Sequence, residues 1–67
     1  MKIKYDKETD SLVVNLTDKE IEDSEEIRPG VIADFAGDGS LVGIEVLNAS
    51  RKIEALDEIT YNFGKVS

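Results

Sequence analysis

Neither cysteine nor histidine occurs among the 67 residues of this chain, and the two absences exclude much of enzyme and metal chemistry. Without cysteine there are no disulfides and no thiolate ligands, so stability must come from packing or from a second copy of the chain. Without histidine, Ser-His-Asp, Cys-His and HExxH arrangements cannot be built. No recognisable base activates a serine, threonine or lysine, so the chain is expected not to be an enzyme, and no cofactor is expected. No apolar run approaches the roughly 20 residues that cross a bilayer. The segment Met1-Lys-Ile-Lys-Tyr-Asp lacks the apolar stretch of a signal peptide, so the cytoplasm is the expected compartment. Basic charge is scarce too: eight Lys and Arg against fifteen Asp and Glu leave a net charge of −7. Lys2, Lys4, Lys7 and the pair Arg51-Lys52 all stand among acids. Autonomous binding to a phosphate backbone, which needs a basic stripe, is not expected. A basic partner, a cation or simple solubility suits such a chain better.

What is present reads as one small α+β domain spanning the chain, with a mostly antiparallel sheet. Ile3 and Tyr5 alternate with lysines, and Leu12, Val14 and Leu16 alternate again beyond the polar Asp6–Asp10. Residues 2–6 and 11–17 therefore predict a first hairpin. Residues 18–28 are the most acidic section, with Ile21 and Ile27 as apolar anchors before the turn signal Pro29-Gly30. The section is either an ordered loop or an edge strand whose charges discourage aggregation; a short, irregular strand around Ile21–Ile27 is favoured. A helix over about 49–57, capped by Asn48 or Ser50, follows from Ala49, Ile53 and Leu56 at helical spacing. Ile59, Tyr61 and Phe63 then alternate as a final strand over 59–63, or continue the helix.

The central segment, 31–36 and 41–47, predicts a second hairpin around Asp38-Gly39. A two-residue turn pairs Gly37 with Ser40, Phe35 with Val42, Ala33 with Ile44 and Val31 with Val46. One face is then wholly apolar, and the other carries Ile32, Asp34, Gly43, Glu45 and Leu47. A slip by one residue would mix acids into the apolar face, so this register is preferred. Three site readings follow. Asp34 and Glu45 lie diagonally on the polar face, where two carboxylates can shift each other's pKa. Asp34, Asp38, Gly39 and Glu45 also match positions of a calcium loop, although Ala36 removes one oxygen ligand and strands replace the helices such a loop needs. The metal candidates Asp34, Asp38 and Glu45 are accordingly weak, and Asp38-Gly39 reads better as turn chemistry. Gly43 interrupts a good strand, marking either the approach of another backbone or a bulge beside Asp34. The partner-binding candidates are Ile32, Asp34, Gly43, Glu45 and Leu47, together with Glu20, Glu22, Asp23, Glu25 and Glu26 of the acidic run.

The order Met1-Lys-Ile-Lys-Tyr-Asp, Asp10-Ser-Leu-Val-Val, Asp23-Ser-Glu-Glu-Ile, Pro29-Gly-Val-Ile-Ala-Asp and Leu41-Val-Gly-Ile-Glu-Val-Leu-Asn-Ala-Ser resembles the small bacterial and archaeal domain-of-unknown-function family 2283 (DUF2283). The likeness runs from Met1 to about Ser50, and Leu41–Ser50 is its most specific part. Members are short and acidic, and some are encoded beside toxin-like proteins. The resemblance therefore implies an antitoxin-like role and supplies no catalytic residues. The expected function is a non-enzymatic acidic interaction module neutralising a basic protein. The alternative is a small homo-oligomeric domain, such as a homodimer, binding a ligand or cation, with Ile32 and Leu47 at its seam.

Overall fold

The computed structural model describes residues 1–54. The expected strand over 59–63 and residues 55–57 of the expected helix lie outside the described residues. Five strands, β1 (Lys2–Asp6), β2 (Ser11–Asn15), β3 (Asp23–Arg28), β4 (Val31–Phe35) and β5 (Leu41–Leu47), precede one helical turn, α1 (Ala49–Lys52). They form one sheet in the order β1-β2-β5-β4-β3, antiparallel at every junction. The α+β reading holds, with most of the structure in the sheet.

Alternation decides the buried face. Ile3 stands opposite Val14 and Tyr5 opposite Leu12; Leu12 and Val14 then meet Val46 and Ile44 across the next junction. Ile3, Leu12, Val46 and Ala49 form the buried cluster, with Tyr5, Val14, Val31, Ile44 and Ile53 packed around it. Burying one such aliphatic side chain stabilises the fold by about 1.5–3 kcal/mol. The core is therefore centred on β1, β2 and β5, where α1 sits. The first hairpin is shorter than its alternation suggested. β2 ends at Asn15, and the Leu16 N–H leaves the ladder to donate to the Val42 carbonyl at 2.7 Å.

The central hairpin keeps the predicted pairing of Val31 with Val46 and Ala33 with Ile44 but not of Phe35 with Val42. Its loop is longer than two residues. The Gly39 N–H donates to the Ala36 carbonyl at 2.9 Å, Gly39 is left-handed at φ 88°, and the Ala36 N–H reaches the Ser40 carbonyl at 2.9 Å. This is a three-residue loop with a left-handed last residue, the next commonest hairpin solution. It places Phe35 opposite Leu41, and a bulge at Val42 restores the predicted register by Asp34 and Gly43. Val42 consequently turns inward and is the most deeply buried large side chain, at 1% exposure.

The helix differs more. It ends at Lys52, because Ile53 is extended (φ −121°, ψ 107°), so the expected run over 49–57 is broken inside the described residues. Neither Asn48 nor Ser50 caps it with a side chain. Asn48 is left-handed, and Asp10 from the β1–β2 turn takes the role, its carboxylate accepting from the Ser50 N–H at 3.1 Å and from Ser50 Oγ at 2.7 Å. The Asp10 carbonyl accepts from the Ala49 N–H at 2.9 Å. One turn cannot hold itself against nucleation cost; this one is held by the first hairpin and by Ala49 in the core.

Candidate functional site

The sheet face opposite α1 is laid out by register. One cross-strand row reads Lys2, Asn15, Gly43, Asp34, Ser24, and the next reads Lys4, Val13, Glu45, Ile32, Glu26. Asp34 and Glu45 are diagonal neighbours in these rows, as the predicted pairing required, and the structure brings their carboxyls into contact. Asp34 is buried, at 4% exposure, and accepts a hydrogen bond from Ser24 Oγ at 2.6 Å. The Glu45 pKa is raised from its ordinary value, first by the hydrogen bond its protonated carboxyl makes to Asp34, then by burial, then by the Asp34 charge. Val13 and Ile32 flank Glu45 on the two neighbouring strands, which accounts for the lost hydration. Glu45 therefore holds its proton more tightly than a free glutamate does. Among the described residues no pocket surrounds it.

Both readings of Gly43 are met: it adjoins the bulge at Val42 and stands opposite Asp34, and another backbone passes close to it. A Cβ there would lie 2.6 Å from the Val14 carbonyl oxygen of the same chain, so the backbone it admits is that of β2. Gly43 and Asp34 are both buried, and neither can meet a partner on the folded surface. Ile32 and Glu45 are half-buried, while Leu47 is exposed.

The calcium pattern does not assemble. Asp38 is bound into its own turn, paired with Lys19 Nζ at 2.7 Å and accepting from the Ser40 N–H at 2.9 Å and from Ser40 Oγ. Lys19 and Ser40 hold its carboxyl well below the usual range. Among the described residues no three Asp or Glu side chains group as metal ligands; Asp38 is engaged in its own turn, apart from Asp34 and Glu45.

The acidic run is strand rather than loop from Asp23 onward, with the irregularity expected of it. Ile27 is the extra residue of a bulge, beside a turn that has Pro29 followed by Gly30 at φ 76°. All six residues of β3 are exposed, as are Glu20 and Glu22. Glu26 closes the turn by accepting from the Gly30 N–H at 3.0 Å. Ile21 and Ile27 are not anchors: they are 50% and 54% exposed. Sequence reasoning missed Ser24, whose hydroxyl ties the edge strand to buried Asp34; the signal was a polar residue standing opposite an acid once β3 and β4 are paired. It also missed Asp10, because a cap supplied from forty residues away leaves no local pattern.

No helix among the described residues is long and apolar enough to cross a membrane. No curated protein and no solved structure gives a significant match to the chain. The family described as "Protein of unknown function (DUF2283)" matches residues 2–50. That span contains all five strands and the start of α1, and on it the chain belongs to the DUF2283 family.

Proposed function

We propose that this chain is a non-enzymatic acidic interaction module that neutralises a basic protein partner, in the manner of an antitoxin. The observation that carries the reading is the segment 18–28, where six carboxylates stand against Lys19 and Arg28 and all of β3 is exposed. Lys19 is already engaged by Asp38. A solvent-facing strand with excess acidic charge speeds encounter with a basic surface and selects against acidic ones. The net charge of −7 acts in the same direction over longer range. Co-expression with the proteins encoded by the neighbouring genes, basic ones first, is the direct test. The reading expects restored growth and a co-purifying complex that weakens as salt rises; growth arrest unrelieved by this chain, with no complex, refutes it.

A second reading, a homo-oligomer seamed on the face opposite α1, is favoured by exposed Val13 and Leu47 around half-buried Ile32. Light scattering of the isolated chain separates the two: a dimer whose mass reverts to monomer on Leu47→Lys supports the seam, and a monomer removes it.

A further inference from the structure

We propose that the outer edge of β3 is where the basic partner docks, by adding an extended, lysine- or arginine-rich strand to the sheet. The inference rests on the basic-partner reading above and specifies its mode. β3 is the last strand of the sheet and pairs only with β4 among the described residues. An edge of that kind presents a row of backbone donors and acceptors, a template for another strand. The regular part of the ladder, Asp23–Glu26, offers about 13 Å of edge at about 3.3 Å per residue.

Charge selects the occupant. Asp23, Glu25 and Glu26 outnumber Arg28 on this edge, with Glu20 and Glu22 leading into it, whereas on the opposite edge, β1, Lys2 and Lys4 outnumber Asp6. A basic strand is therefore steered to β3 and repelled from β1, and two β3 edges repel each other. A purely protective edge accounts for the carboxylates and for the bulge at Ile27. It does not account for Ile21 and Ile27, both half exposed, which lie before and after the regular ladder Asp23–Glu26; exposed branched apolar side chains invite pairing rather than discourage it. They give an incoming strand apolar contacts at either end of a charged centre. Nor does folding account for them, since β3 contributes no buried side chain.

The test uses the full chain and two probes: an amidated octapeptide of alternating lysine and valine, and the same peptide with every backbone amide methylated. Both carry the same charge and side chains, but the second has no backbone donors. The inference expects the first to slow amide exchange within residues 23–26 and to bind about tenfold more tightly than the second. Asp23→Lys with Glu25→Lys removes that binding; the milder Glu25→Gln weakens it while circular dichroism stays unchanged. Equal binding of the two peptides, protection confined to β1 or to the opposite sheet face, or an isolated chain that self-associates with these amides already protected would each overturn it. Failure here is distinct from failure of the basic-partner reading. A neighbour-encoded protein that still binds the doubly reversed variant leaves that reading standing and ends strand addition. Peptide binding without any neighbour complex does the reverse.

Discussion

Gly43→Ala tests the central geometry of the sheet most directly. The added Cβ would lie 2.6 Å from the Val14 carbonyl oxygen, whereas carbon and oxygen in adjacent strands approach to about 3.3 Å. The β2 backbone, or the bulge at Val42, must give by roughly 0.7 Å. Neither is a flexible side-chain end. Val14 is paired on both sides, to Ile3 and to Ile44, and Val42 is both buried and hydrogen-bonded to Leu16. Overpacking of this kind costs about 1–3 kcal/mol. Replacing glycine by alanine in a strand returns roughly 0.5–1 kcal/mol of chain entropy, so the clash wins by about 1–2 kcal/mol. A chain of this length has a total stability of roughly 3–10 kcal/mol, and the melting temperature should fall by about 5–15 °C. Thermal unfolding followed by far-ultraviolet circular dichroism gives the shift, and amide exchange locates it. Exchange should quicken along β2 and β5 and stay unchanged along β3. Gly39→Ala is the comparison, because a Cβ there meets nothing within 4 Å and the cost is only that of φ 88°. A Gly43→Ala protein as stable as the parent, or one loosened at β3 instead, would refute the account of the bulge.

Glu45→Gln should stabilise the protein at neutral pH. The raised folded pKa means that the contribution of Glu45 is complete below its ordinary value of 4.5 and is lost as pH rises through the higher folded value. The amide remains a neutral donor to Asp34, so urea midpoints of variant and parent should diverge from about pH 4.5 upward and converge below it; parallel pH profiles would contradict the raised Glu45 pKa. Asp10 has the opposite sign. Tyr5, then Ser50, hold its carboxyl below its ordinary 3.8, so its contribution is present above that value and lost as pH falls through the depressed one. Asp10→Asn, which keeps the left-handed backbone at φ 53°, should therefore cost less than Asp10→Ala and should flatten the acid limb of the stability curve, as read by thermal melts between pH 2 and 5. Leu12→Ala removes a side chain that is 3% exposed and central to the cluster. The expected loss of about 2–5 kcal/mol is a large part of the total, and a cooperative melt above 50 °C, about the middle of the mesophile range, would show that the core lies elsewhere.

The legible parts of this fold were those set by a period. The alternation of Ile3 and Tyr5 against Leu12 and Val14, and of Val31 and Ala33 against Ile44 and Val46, gave strands, faces and pairing, since any slip of one residue exposes the whole buried set. Where a residue's place depends on another segment, the pattern was silent or misleading. The helix was drawn too long because Ile53 fits a helical period yet is extended and packs on the sheet cluster. Asn48 looked like a cap, but Asp10 outcompetes it with a carboxylate. The Asp38-Gly39 pair signalled a turn correctly; its length escaped because the bulge at Val42 cancels the extra loop residue and leaves the distal register unchanged. Asp34 and Glu45 were placed correctly as diagonal neighbours. The burial of Asp34 was not legible, because its neighbours across the sheet, Gly43 and Ser24, lie on two other strands.

That uneven packing bears on what the acidic edge can do. The buried cluster lies over β1, β2, β5 and α1, so local stability should decline across β4 toward β3. The edge strand is held by its ladder to β4, by the Glu22 N–H on the Phe35 carbonyl, by Ser24 on Asp34 and by Glu26 on the Gly30 N–H. None of these buries an apolar side chain of β3. A segment with so little apolar burial opens at a small fraction of the global free energy. Binding that pairs its outer edge would add hydrogen bonds where the fold has fewest, and would stabilise β3 by mass action. On the proposed reading, the carboxylates that keep β3 exposed are also the ones that would select its partner. Among the described residues, Ser24 is the side chain that ties this strand to buried Asp34. Ser24→Ala should quicken exchange in β3 and leave β1 and β2 unchanged.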